Sequence, residues 1–152
     1  MKVNNNYFAR FMNLLVFIFI VIMAFVLPTL PILVKRYLEY AGNHTLNALW
    51  ITFFLYLTAI PFVVLLLMAK KLCNNVLRQE PFSHSSVTLL NIISICAFAD
   101  FFLYAIGTFA VLKNLLSLTV MVAAFMVGLV GQILIQLVKH AMELKQENDL
   151  TI

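Results

Sequence analysis

Asp100 is the one acidic residue inside a long apolar stretch of this chain. A carboxyl group in such a setting is a proton relay, a substrate contact or a helix–helix contact. On a helix, Cys96 at i−4 and Tyr104 at i+4 share its face, and Thr108 extends the stripe. Thr58 falls at similar depth on the preceding apolar stretch, and Gln132 projects from the following one, with Gln136 beyond it. These residues define an expected intramembrane polar cluster of Asp100, Cys96, Tyr104, Thr58 and Gln132. Two chemistries fit it. In one, a neutral Asp100 is hydrogen-bonded to Thr58, Tyr104 or Gln132 and ties helices together. In the other, Asp100 carries protons for a transport reaction. Transport sites usually gather several polar or ionisable groups near the midplane, whereas no Lys or Arg lies in any apolar stretch here.

Other chemistry is poorly served. Cys73 and Cys96 lie 23 residues apart, without a CxxC, and read as free thiols. His44, His84 and His140 sit in separate polar segments without metal-ligand spacing. The sequence contains no HExxH, GxSxG or glycine-rich phosphate loop and no paired carboxylates in a span. The expectation is therefore a protein that is not an enzyme and carries no metal or cofactor. Ala124, Gly128 and Gly131 place small side chains on one helix face, which lets a neighbouring helix approach closely.

The elements that must position these residues follow from composition. Of 152 residues, 64% are apolar and 11% are charged. A soluble domain is about 45–50% apolar and about 25% charged, so this chain lacks the polar side chains to cover a water-facing globule. A membrane-crossing helix takes about 20 mostly apolar residues, and four stretches supply them: 11–34, 46–69, 88–112 and 115–138. Lipid offers no partner for a bare backbone donor, so each is expected to be helical. The expected fold is all-α: one transmembrane domain, residues 1–152, forming a four-helix bundle. Pro28 and Pro31 predict a kink or early unwinding at the end of the first span, and Pro61 a kink in the second.

Basic residues set the direction. With the N-terminus inside, Lys2, Arg10, Lys70, Lys71, Arg78, Lys139 and Lys145 are cytoplasmic, and only Lys35, Arg36 and Lys113 are outside. Seven against three favours both termini in the cytoplasm. The basic residues are dispersed and interfacial, which argues against direct nucleic-acid binding. The longest link, 70–87, and the tail, 139–152, then both face the cytoplasm. Pro81 is expected to break the helix that continues from the second span, and Ser83, Ser85 or Ser86 to cap the third. The outer link at Lys113-Asn114 is short enough to make the last two spans a tight hairpin.

The ending Lys145-Gln146-Glu147-Asn148-Asp149-Leu150-Thr151-Ile152 resembles the C-terminus of the YoaS-like small bacterial membrane proteins, a family of unknown function. The Pro81-Phe82-Ser83 step looks like the same family's inner-loop motif, and the four-span layout agrees over the whole chain. The resemblance implies a genomic neighbour of the Cro-like helix-turn-helix type, hence a cytosolic transcription regulator as partner. The first expectation is a regulatory membrane protein that sequesters such a regulator, with Phe82, Glu147, Asp149, Leu150 and Ile152 as contacts. The second is a small transporter or channel, assembled as a homo-oligomer, with Asp100 as its coupling residue. A third is a protein that protects the membrane under stress.

Overall fold

The computed structural model describes residues 4–40, 47–78, 81–112 and 115–149, and these are helical apart from short caps. Helix α1 spans Asn4–Tyr40, α2 Ala48–Leu77, α3 His84–Gly107 and α4 Leu115–Asp149. Each is long and apolar enough to cross a bilayer. The Lys113-Asn114 link and the tail residues Leu150 and Ile152 lie outside the described residues. The fold is all-α, a four-helix membrane bundle whose outward side chains are largely apolar, as lipid contact requires: Phe25 is 73% exposed and Phe102 63%.

The helices overrun the apolar stretches that mark them. Helix α1 has 37 residues, about 55 Å at about 1.5 Å per residue, against a hydrocarbon thickness of about 30 Å. Hydropathy marks where lipid ends, whereas the backbone hydrogen-bond ladder has no reason to stop there. The unwinding expected at Pro28 and Pro31 does not occur, and α1 stays helical to Tyr40. The local reason is visible. Pro31 has no N–H to offer the Leu27 carbonyl one turn back, and the Tyr56 hydroxyl on α2 donates to that carbonyl instead, at 2.8 Å.

The ends are capped by short polar side chains. Asn47 caps α2, its Oδ1 accepting from the Leu49 amide at 3.1 Å. Ser83 caps α3, its Oγ accepting from the Ser86 amide at 3.3 Å. Asn75, near the end of α2, donates to Ser86 Oγ at 3.2 Å and to Ser85 Oγ at 3.3 Å, tying the two helices at their shared end. Most of the link read as 70–87 is thus helix, with α2 ending at Leu77 and α3 starting at His84. Helix α3 closes on a π turn, Thr108–Leu112, just after Gly107, where an added Cβ would overlap the Phe54 ring.

Neighbours in sequence pack as neighbours in space. α1 packs on α2, α2 on α3 and α3 on α4. Among the described residues, no Cα of α1 lies within 8 Å of a Cα of α4. The bundle is therefore open along one side. Its α3–α4 seam is the closest: Ser94 Oγ, fully buried, donates to the Gly128 carbonyl at 3.2 Å.

Candidate functional site

An intramembrane cavity of about 430 Å³ lies among all four helices. α1 contributes Met23 and Leu27, α2 contributes Thr58, α3 contributes Ala97, Asp100 and Tyr104, and α4 contributes Ala123, Ala124 and Val127. The cavity exists because α1 and α4 stand apart and because small residues, Ala97, Ala123 and Ala124, line the helices that face it.

Asp100 is 6% exposed and Thr58 3%. Asp100 Oδ1 has no hydrogen-bond partner among the described residues. The bonds expected of it are not made. Thr58 Oγ1 donates within its own helix, to the Leu55 carbonyl at 3.1 Å. Tyr104 packs its ring edge-on against Phe54, centroids 5.8 Å apart. Gln132 is exposed and does not reach the cluster, for two geometric reasons. The Ser94–Gly128 bond sets the antiparallel register, so Gln132 lies level with the neighbourhood of Leu90, about 15 Å along the axis from Asp100 at about 1.5 Å per residue. At roughly 100° per residue, Gln132 also falls on the opposite flank of α4 from Val120, Ala123, Ala124 and Val127. Cys96 is half-buried, a free thiol, and does not line the cavity; Ala97, the next residue along α3, takes that place. Thr108 turns instead toward α4 and donates to Ser117 Oγ at 3.0 Å.

The small residues of α4 divide between two tasks. Gly128 and Gly131 face α3. An added Cβ at Gly128 would come 2.9 Å from the Phe98 ring, and one at Gly131 would overlap Ser94 Oγ. Ala124 opens the cavity wall.

A second cavity, also about 430 Å³, shares Val26, Leu30, Leu55, Tyr104 and Val120 with the first. It extends along α1 to Leu38 and reaches Leu116 and Ser117 at the start of α4. The two form one apolar groove leading from Asp100 toward the end where α1 finishes. Sequence reading missed this groove, since its only sequence signal is the set of small residues on facing helices.

The opposite end of the bundle carries most of the basic residues and the tail. Lys70 Nζ lies 4.5 Å from the centroid of the Phe17 ring, beside Arg10 and Asn13. Phe82 is 54% exposed and Leu144 64%. His140 Nδ1 meets Glu143 Oε2 at 3.3 Å. Glu147 is exposed, and Asp149 closes α4. Leu144 is a candidate contact that sequence reading passed over, although an apolar residue amid Glu143, Lys145 and Gln146 was a legible signal. Among the described residues, no three His, Cys, Asp or Glu side chains are grouped to hold a metal ion.

The uncharacterised membrane protein YoaS of Bacillus subtilis (strain 168) is 31% identical over 149 residues, covering 85% of this chain and 93% of that protein. No solved structure matches the chain. A family of proteins of unknown function, DUF2975, matches residues 6–152. With four membrane-spanning helices and a match over nearly its whole length, the chain belongs to the DUF2975 family and is a multi-pass bacterial membrane protein.

Proposed function

We propose that this is a regulatory protein, not an enzyme, that holds a cytosolic helix-turn-helix transcription regulator at the membrane. Both termini are cytoplasmic in this reading. The observation that carries it is the far end of α4. The helix runs unbroken from Leu115 to Asp149, about 11 residues past the apolar span at Val138. Its last turns are polar, with Leu144 exposed among them. Phe82 is exposed at the same end of the bundle, where α2 finishes and α3 begins. A stiff, mostly polar helix with an exposed leucine, beside an exposed aromatic, suits a groove on a partner protein. Phe82, Leu144, Glu147, Asp149, Leu150 and Ile152 form the contact surface. Sequestration keeps the regulator from its operator for as long as the surface is occupied.

The test is crosslinking in intact cells with a tagged chain, comparing full length with a chain ending at Gln146. Capture of a helix-turn-helix protein, lost on truncation, is the expected result. Equal capture by both chains removes the tail from the reading, and capture of this chain alone removes the regulator.

The buried, unpartnered carboxyl oxygen of Asp100 favours a second reading, an oligomeric transporter or channel coupled through Asp100. Proton-dependent flux in proteoliposomes, abolished in Asp100→Asn, is what that reading requires.

A further inference from the structure

We propose that the Asp100 cavity binds a lipophilic molecule carrying one hydrogen-bond-donating head, an O–H or N–H, taken sideways from the bilayer between α1 and α4. Asp100 is more than nine-tenths buried, and its Oδ1 accepts no hydrogen bond among the described residues. Buried acceptors are nearly always satisfied, and one that is not calls for a partner. The nearest hydroxyl on α2, Thr58, is spent on the Leu55 carbonyl. A donor completes the site whether the carboxyl is ionised or neutral, because a carboxyl oxygen is free to accept in both states.

The rest of the ligand is defined by the walls. Around the carboxyl they are apolar: Leu27, Ala97, Ala124 and Val127. A cavity of this volume, with a carboxyl, the Thr58 hydroxyl and Tyr104 set in an otherwise apolar lining, has the build of a small-molecule site. It continues outward into the second cavity through Leu30, Leu55 and Val120. From Met23, beside Asp100, to Leu38 at the far end, the groove follows about 15 residues of α1, or about 22 Å. That length accommodates an extended hydrocarbon chain. Entry is from the side, because α1 and α4 do not close on each other and the residues flanking the gap are apolar. A freely diffusing polar solute has no such path.

This inference stands apart from the regulator and transporter readings. Its test uses the full-length protein in phosphatidylcholine nanodiscs and three photoactivatable probes. These are hexadecanol with a mid-chain diazirine, the matching primary amine and the matching methyl ether, which has no donor. Photolabelling by the alcohol, the amine or both is expected on half-buried groove residues about half a chain length from Asp100, such as Val26, Leu30 and Leu55. It should exceed the ether's by roughly tenfold, the worth of one buried hydrogen bond. The preferred arm identifies the head group. Ala124→Phe fills the cavity and abolishes the labelling. Asp100→Leu lowers it to the ether's level, while Asp100→Asn, which keeps an acceptor, retains alcohol labelling. Helical content by circular dichroism and gel-filtration position check that each variant is folded. Equal labelling by all three probes overturns the proposal. So does labelling confined to lipid-facing residues such as Phe25 and Phe102, or a cavity that takes no probe. Asp100→Asn also separates the ideas, since it ends proton-coupled flux but not binding. Failure to capture a regulator leaves the labelling result untouched.

Discussion

One of the tightest contacts between helices is made by some of the smallest side chains. Ser94 and Gly131 meet where any added carbon on the glycine would overlap the serine oxygen, while that oxygen bonds the Gly128 carbonyl. In lipid there is no hydrophobic drive to press helices together, so close packing and such bonds carry the association. Gly131→Ala is expected to destabilise the bundle by about 1–3 kcal/mol, in the range of overpacked core substitutions. Ser94→Ala alone should cost about 0.6 kcal/mol, the mean for a hydrogen bond within a membrane protein. The double substitution should cost less than the sum, because removing Oγ frees the space that the new methyl needs. Reversible unfolding in mixed micelles on all four chains measures this, and strict additivity would rule out the steric account. The glycines were legible in the sequence as a small-residue face. Asp100 was legible as the lone acid in a span. Its hydrogen-bond state was not, because Thr58 satisfies itself on its own helix, a choice of rotamer that no spacing reveals.

Each helix announced itself by twenty-odd apolar residues, because only an internally bonded backbone crosses lipid. The ends were less legible. The spans read as 11–34 and 115–138 belong to helices that run Asn4–Tyr40 and Leu115–Asp149. Pro31 illustrates why local rules miss tertiary compensation. The ring deprives the Leu27 carbonyl of its helix partner, and Tyr56, 29 residues away, supplies a donor. Removing that hydroxyl with Tyr56→Phe is expected to cost about 1 kcal/mol, the usual net worth of such a bond. In a Pro31→Ala background the new backbone N–H takes the carbonyl, and Tyr56→Phe should cost close to nothing. The same unfolding assay on the four chains reads the coupling. An equal cost in both backgrounds would show that the hydroxyl is not the proline's substitute.

Two properties belong to the whole molecule: which way it faces and whether its open side stays open. The first follows from the basic residues and is testable with single cysteines in a chain carrying Cys73→Ser and Cys96→Ser. Tyr40→Cys, at the end of α1 and 94% exposed, should react in intact cells with a membrane-impermeant maleimide. Leu144→Cys should react only after permeabilisation. The reverse pattern would place both termini outside and remove the cytosolic partner surface. The second property depends on inter-helix distance, which apolar patterning does not encode: every face of α1 and α4 is apolar enough for lipid or for protein. A disulfide needs Cα atoms about 4.4–6.8 Å apart, and α1 and α4 do not come within 8 Å. In the same cysteine-free chain, Leu27→Cys with Ala123→Cys should therefore resist oxidation. Thr108→Cys with Ser117→Cys should crosslink readily, because those hydroxyls already sit 3.0 Å apart. Efficient closure of the first pair in membranes would mean that α1 swings onto α4. The sideways entrance to Asp100 would then be shut in the resting protein, and a ligand would have to wedge the helices apart. Resistance of that pair, with the control closed, leaves the carboxyl reachable from the bilayer at every moment, so that occupancy follows the concentration of the lipophile in the membrane.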